Sequence, residues 1–271
     1  MTITEQKRGL ESCQSTILRP ADFDTFWRKR LTVGPVDITT SPRPFVNPQA
    51  IYEELTLTAG DRTITARAIR PRGKGPFPTV LMFHDMGRRV RGWHHMTRFI
   101  GLGYAVIALD HGLDGSPRVE DYEWEQLETC YVNAVILIRE AMTFSYVDPA
   151  RVVAWGEGFG GGLAIVAAAM AGRAVRCAAL NPMPADIRRA YGIPGGAAAS
   201  LPDYLDAAGF APLLEGQMLL GTSLMDEVAD VAGQYAIFHQ VCCEKRHLVY
   251  PKYIHERINF FENELLKFMA W

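Results

Sequence analysis

The stretch Val152-Val-Ala-Trp-Gly-Glu-Gly-Phe-Gly-Gly-Gly-Leu-Ala-Ile-Val-Ala-Ala-Ala-Met170 decides how this chain folds. Its first residues are apolar, its glycines crowd between Gly156 and Gly162, and small apolar residues at helical spacing follow. That order reads as a buried strand, a very tight turn, and a helix packed close against a sheet. The turn has the G-x-S-x-G frame of a nucleophile elbow, with Gly156 and Gly160 as the outer glycines. At the centre, where the attacking serine belongs, stands Gly158. A strained backbone with positive φ costs glycine little, so the elbow survives the loss of its side chain.

Working outward, the same rhythm recurs. Thr79–Phe83, Tyr104–Leu109, Val175–Leu180, Met218–Leu220 and His247–Tyr250 read as strands. Helices are predicted over Trp93–Leu102, 119–142, Glu227–Gln240 and Arg257–Phe268. Ahead of them, Ile51–Thr58 and Thr63–Ile69 alternate apolar and polar residues around the turn Ala59–Arg62, which predicts an antiparallel hairpin at a sheet edge. Asp22 is placed to cap a short N-terminal helix, within a helical lead-in over 20–33, with Phe23, Phe26, Trp27 and Leu31 on one stripe. Residues 182–211, rich in Pro, Gly and Ala, break the rhythm and read as a short cap-like insertion over the C-terminal sheet edge. Strands alternating with helices give an α/β protein with a doubly wound, mostly parallel sheet in the α/β-hydrolase order, as one domain over 1–271.

Composition bounds the function. The chain has 271 residues, 48% of them hydrophobic, and a formal net charge of −2. One domain with a large core fits that length. The charge balance points away from nucleic acid and from anionic membrane as partners, leaving a small-molecule substrate. The five cysteines (Cys13, Cys130, Cys177, Cys242, Cys243) read as free thiols of a reducing compartment. The polar N-terminus has no apolar signal-peptide core and no run reaches membrane-spanning length, so a cytoplasmic protein is expected. No His/Cys/Asp cluster has metal-ligand spacing, and the glycine-rich turn lacks the Lys-Ser/Thr of a phosphate-binding loop, so no cofactor or metal is expected.

Four stretches together resemble the acetyl xylan esterase / cephalosporin C deacetylase family of carbohydrate esterases. Pro20-Ala-Asp-Phe-Asp-Thr-Phe-Trp27 resembles the family's P-x-D-F-D-x-F-W start. Phe83-His-Asp-Met86 is similar to its F-H-G-Y turn, Leu224-Met-Asp226 to its L-M-D segment, and Tyr253-Ile-His-Glu256 holds its H-E pair. Two motifs depart from the family. Its R-G-Q-G stands here as His111-Gly-Leu-Asp114, and its G-x-S-Q-G-G as Gly156-Glu-Gly-Phe-Gly-Gly161. The resemblance implies an α/β-hydrolase fold, an acyl-ester substrate and a ring-like homo-oligomer.

In such a site a serine attacks, a histidine takes its proton and an acid orients the histidine, in the chain order nucleophile, acid, base. His255 follows the last strand, where the base belongs. Asp226 follows the strand before it, where the acid belongs, with Asp230 as its rival. The backbone N–H groups of Met86 and Phe159 are expected to form the oxyanion hole, since backbone donors outlast side-chain changes. His84, Asp85, Glu157 and His111 are the candidate substrate-binding side chains, with His111 more structural than proton-carrying and Glu157 a partner for an arginine. Ser116 and Ser223 lie on no forced turn, and Cys130 reads as core. His94 and His95 read as surface. The arginines at 88, 89 and 91 read as a solvated loop, with a second role of meeting an anionic substrate group at the pocket mouth.

Three functions fit this sequence. The chain is an acetyl-ester hydrolase in an inactive serine-to-glycine form. Or it works without a covalent step, His255 and Asp226 acting as general base and the oxyanion hole holding the charge, in direct water attack or in lyase, isomerase or cyclase chemistry. Or it is a binding or scaffold protein that kept the fold.

Overall fold

The computed structural model describes residues 9–11, 19–90, 92–194 and 199–271. Cys13 and Arg91 lie outside these. Nine strands form one sheet in the order β1-β2-β3-β5-β4-β6-β7-β8-β9. They are β1 (Asp37–Pro42), β2 (Ala50–Ala59), β3 (Arg62–Pro71), β4 (Phe77–Phe83), β5 (Ala105–Asp110), β6 (Val147–Glu157), β7 (Arg176–Leu180), β8 (Met218–Ser223) and β9 (Lys245–Tyr250). From β5 to β9 neighbouring strands run parallel, while β1 to β3 and the β3–β5 pair are antiparallel. This is the α/β-hydrolase architecture that the strand–helix rhythm predicted.

The central strands are apolar throughout because both faces are covered. Successive side chains alternate between faces. Leu81 and Phe83 of β4 and Val152 and Ala154 of β6 join one core; Val80, Met82, Val153 and Trp155 join the other. The second core is closed by α2 (Trp93–Ile100) and α9 (Asn259–Met269), through Met96, Phe99, Phe261 and Leu265. The first is closed by α3 (Trp124–Ala141) and α4 (Phe159–Ala169) and by the N-terminal helix α1 (Phe23–Leu31).

The hairpin β2–β3 forms as expected, but it is not at the edge. β1 pairs outside it, from Asp37↔Thr58 to Pro42↔Glu53. That strand gave no periodic signal because only Ile38 is even half-buried. Asp22 precedes α1 without capping it by its side chain; its Oδ1 instead accepts from the Tyr204 hydroxyl at 2.7 Å. Phe23, Trp27 and Leu31 are buried as the stripe predicted. Phe26 stacks on Tyr204, ring centroids 3.8 Å apart.

The insertion over 182–211 contains the short helices α5 (Ile187–Ala190), α6 (Leu201–Leu205) and α7 (Ala207–Phe210). It is fastened to the helical layer, and its first residues meet the elbow, where the Met183 N–H donates to the Gly158 carbonyl (3.1 Å). Trp27 Nε1 donates to the Tyr204 carbonyl (3.1 Å) and the Tyr131 hydroxyl to the Leu205 carbonyl (2.8 Å). Phe210 packs edge-on against Phe23 and Trp27. Buried Asp206 accepts from the backbone N–H groups of Asp186, Ile187 and Ala208, and burial pushes its carboxyl up to about 6.

Two helices start later than their patterns suggest. A turn of tighter helix at Val119–Asp121 precedes α3, whose start is a capping box of Glu123 and Gln126. Helix α8 (Val231–Gln240) begins after Asp230, not at Glu227. The reason is Asp226: its Oδ1 takes the N–H groups of Val228 and Ala229, both at 2.8 Å, and turns the chain before the helix can start. No helix among the described residues is long and apolar enough to cross a membrane.

Candidate active site

The strands β4, β6, β8 and β9 all end on one side of the sheet, the side where open α/β sheets bind ligands. After β4 comes the turn His84-Asp-Met-Gly87, after β6 the elbow, after β8 Asp226, and after β9 His255.

The elbow is built by close approach. Gly158 has φ 56° and ψ −125°. A Cβ on Gly160 would fall 2.2 Å from the Phe83 carbonyl oxygen, so the first turn of α4 rides directly on the end of β4. This contact brings the Phe159 N–H beside the turn after β4.

His255 Nδ1 lies 2.8 Å from Asp226 Oδ2. Asp226 and His255 are thus in contact, and the rival Asp230 is elsewhere, starting α8 and pairing with Arg189. Asp226 Oδ1 is occupied by the Val228 and Ala229 N–H groups, so its second oxygen has a fixed direction toward the imidazole.

On its other side His255 meets Asp85. His255 Nε2 is 2.8 Å from Asp85 Oδ2. Asp85 Oδ1 accepts from the N–H of Met86 and the N–H of Phe159, both at 2.9 Å. The two backbone donors expected to form an oxyanion hole therefore converge on one point, and a protein carboxylate stands there. A Cβ built on Gly158 would lie 1.9 Å from the same Asp85 Oδ1. Asp85 Oδ1 occupies the place that a side chain on residue 158 would take. The expectation that the donors stay free for a substrate oxygen is corrected: in this state Asp85 holds them.

Burial works against a charge on His255, but hydrogen bonds to Asp226 and Asp85 outweigh it and push its pKa up to about 9. At neutral pH the imidazole is a cation between two carboxylates, each ring nitrogen donating to one. The side chains of all three are nearly closed to solvent, 11% exposed for His255 and 5% or less for the two acids.

The other expected site residues divide. His111 is structural. Its Nδ1 accepts from the Leu113 N–H (3.1 Å), so its Nε2 donates to the His84 carbonyl (3.0 Å). Burial, with the neighbouring His84, lowers its pKa to about 3, so it stays neutral. Its ring stacks on that of His84 at 3.7 Å, and together they brace the turn that carries Asp85 and Met86. His84 is buried and lies behind the site, off the cavity beside Asp85. Glu157 is half-buried and faces Arg257, Nε to Oε1 3.9 Å. His94 is exposed; His95 is not a plain surface residue, since Arg257 Nη1 donates to its Nδ1 at 3.0 Å. Arg89 pairs with Asp114 on the surface. Ser116 bonds Asp121, Ser223 is sealed in the core, and Cys130 is core with its thiol on the His111 carbonyl.

A cavity of about 10 Å³ touches Asp85, His255 and Gly158, with Arg88, Glu157, Leu180, Asn181, Glu256 and Arg257 around it. That is room for one water. None of the described residues of the insertion lines it. Asn181 was missed by sequence reasoning. It sits at φ 50° after β7, and its Oδ1 takes the Ser223 N–H at 2.8 Å, tying β7 to β8 beside the elbow.

Comparisons with known proteins agree with this architecture. A sequence profile described as Acetyl xylan esterase (AXE1) matches residues 7–125, 120–200 and 197–271. The crystal structure of acetyl xylan esterase 1 from Thermoanaerobacterium sp. JW/SL YS485 superposes with a TM-score of 0.85, at 22% identity and covering 97% of each chain. The acetyl xylan esterase from Paenibacillus sp. R4 superposes with a TM-score of 0.86, at 18% identity and 99% of each. At these identities the likeness is one of fold. A curated relative, the quorum-quenching protein AidA of Acinetobacter baumannii (strain MDR-ZJ06), is 29% identical over 124 residues. That match spans 45% of this chain and 40% of the relative's length.

Proposed function

The chain belongs to the acetyl xylan esterase (AXE1) family, and we propose that within this esterase lineage it is a hydrolase whose reactive group is the Asp85 carboxylate instead of a serine hydroxyl. One observation carries the reading. Asp85 places one oxygen on the two backbone donors and the other on His255 Nε2, which are the contacts an elbow serine and its developing oxyanion would divide between them. His255 and Asp226 keep the roles of base and orienting acid.

Two other readings are weaker on the same ground. An inactive serine esterase trapped by Gly158 needs room for a serine Cβ, and Asp85 Oδ1 is 1.9 Å from that point. A non-covalent route with a substrate oxyanion on Met86 and Phe159 needs both donors, and Asp85 has them. A scaffold role gives no account of a buried carboxylate–imidazolium–carboxylate line opening on a water-sized cavity. Burying three ionisable groups is costly unless each is paired, and pairing alone is no gain over apolar packing.

The test is acid release from a panel of acyl esters, lactones and alkyl halides, followed in a pH-stat. Asp85→Asn keeps the shape and removes the negative charge. It and His255→Gln should each lower hydrolysis by about 10⁴-fold, in the range for losing a triad member. An Asp85→Asn protein that hydrolyses at the parent rate sinks the reading.

A further inference from the structure

Resting on the reading of Asp85 as the reactive group, we infer that Asp85 attacks a saturated carbon of the substrate through Oδ2, forming an alkyl ester on its own side chain and displacing an anionic leaving group.

The argument starts from what the two backbone donors can serve. Attack on an acyl carbon puts a new negative charge on the substrate's carbonyl oxygen, and that oxygen needs donors. The Met86 and Phe159 N–H groups are already on Asp85 Oδ1. Attack on a saturated carbon needs no such donors, because the charge leaves with the displaced group. Two features near Asp85 bear on the two ends of such a molecule. Arg88, an exposed cation, lines the cavity at Asp85 and offers a departing halide, sulfate or carboxylate a counter-charge. Met225 and Ile254, 54% and 53% exposed, precede Asp226 and His255 and are drawn together by the Met225 N–H on the Tyr253 carbonyl (3.1 Å). They put exposed apolar side chains next in sequence to the two residues of the imidazole–carboxylate pair. The substrate class is therefore an alkyl compound whose leaving group departs as a stable anion.

The donors then act on the intermediate. In the first step the Oδ2 lone pair forms the bond to carbon and the carbon–leaving-group bond breaks, its electron pair departing with the anion. Asp85 becomes a neutral ester. His255 now faces one carboxylate instead of two and releases its proton to solvent with the anion. In the second step His255 Nε2 takes a proton from water as the water oxygen bonds to Asp85 Cγ. The electron pair of the carbonyl moves to Oδ1, which already sits on the Met86 and Phe159 N–H groups. Collapse expels the alkoxide, which takes the proton from His255. The remaining carboxylic acid proton passes to His255 and restores the starting pair. One water and one alkyl compound give one alcohol and one acid. Ester formation thus converts His255 from a cation into the base that the second step needs.

The experiment uses the full chain with n-butyl bromide as probe in heavy-oxygen water. Expected results are bromide release, light oxygen in the butanol of a single turnover, and heavy oxygen in the peptide holding Asp85 after many turnovers. His255→Gln should accumulate one butyl group on that peptide, and Asp85→Asn should cut bromide release by about 10⁴-fold. Heavy oxygen entering the first-turnover butanol, with none in the Asp85 peptide, overturns the covalent step and leaves Asp85 as a base. Bromide release absent in the parent, while acyl esters are hydrolysed in an Asp85-dependent way, overturns the substrate class alone. Hydrolysis that survives Asp85→Asn overturns the underlying reading instead.

Discussion

A Cβ on Gly158 falls 1.9 Å from Asp85 Oδ1, so a side chain at residue 158 and the carboxylate at residue 85 exclude one another. The space beside the elbow therefore holds one side chain, and in this structure it is that of Asp85, from the turn after β4.

Gly158→Ser by itself should create no serine esterase. The new side chain collides with Asp85 and sits at φ 56°, at a stability cost of about 1–3 kcal/mol. Combining it with Asp85→Gly clears the space and frees the Met86 and Phe159 N–H groups. That double variant should hydrolyse p-nitrophenyl acetate at least about a hundredfold faster than either single variant, a fraction of the 10⁴–10⁶ attributed to an intact triad. Equal rates in the three proteins would show that the two positions do not trade roles.

Stability should fall as pH rises. His255 binds a proton more tightly when folded, about 9 against 6.5. The associated stabilisation is complete below pH 6.5 and is lost as the pH passes about 9. The loss amounts to about 3 kcal/mol. Urea unfolding across that window reads it directly, and His255→Gln should flatten the profile. A parent profile that rises with pH would contradict the carboxylate sandwich.

Gly160→Ala should be more damaging than its size suggests. The added Cβ meets the Phe83 carbonyl at 2.2 Å, backbone that cannot swing aside. A loss of about 3 kcal/mol is expected from such overpacking, and with it the alignment of the Phe159 N–H. Thermal unfolding and activity should fall together.

Trp27→Ala tests whether α1 fastens the insertion. Trp27 is fully buried, donates to the Tyr204 carbonyl, and packs on Tyr131 and Phe210. Its loss should cost about 3–5 kcal/mol. Proteolysis of the chain should then begin within 182–211. Cleavage elsewhere, with the insertion intact, would show that α3 alone holds it.

Much of the fold was legible. The apolar strands β4 to β8 and the elbow glycines announce themselves because buried parallel strands must be apolar on both faces, and because a Cβ at Gly156 or Gly160 would strike backbone within about 2 Å. β1 was not legible, since an exposed edge strand carries no burial pattern. The late start of α8 was hidden because Asp226 spends one oxygen turning the chain before the helix.

The sequence by itself determined the order of the strands' chemistry: elbow, then Asp226, then His255, each after its own strand, with Met86 and Phe159 as neighbouring donors. Local pattern suffices for that, because chain order and strand ends set where each residue can emerge. Only the tertiary structure decided what fills the centre. Asp85 and Gly158 are 73 residues apart in the chain, and no periodicity couples them. Whether an acid in one turn faces solvent or enters the space beside a glycine in another depends on how closely β4 and β6 bring the two turns together. Here that approach delivers the carboxylate onto two backbone N–H groups and one imidazole at hydrogen-bond distance.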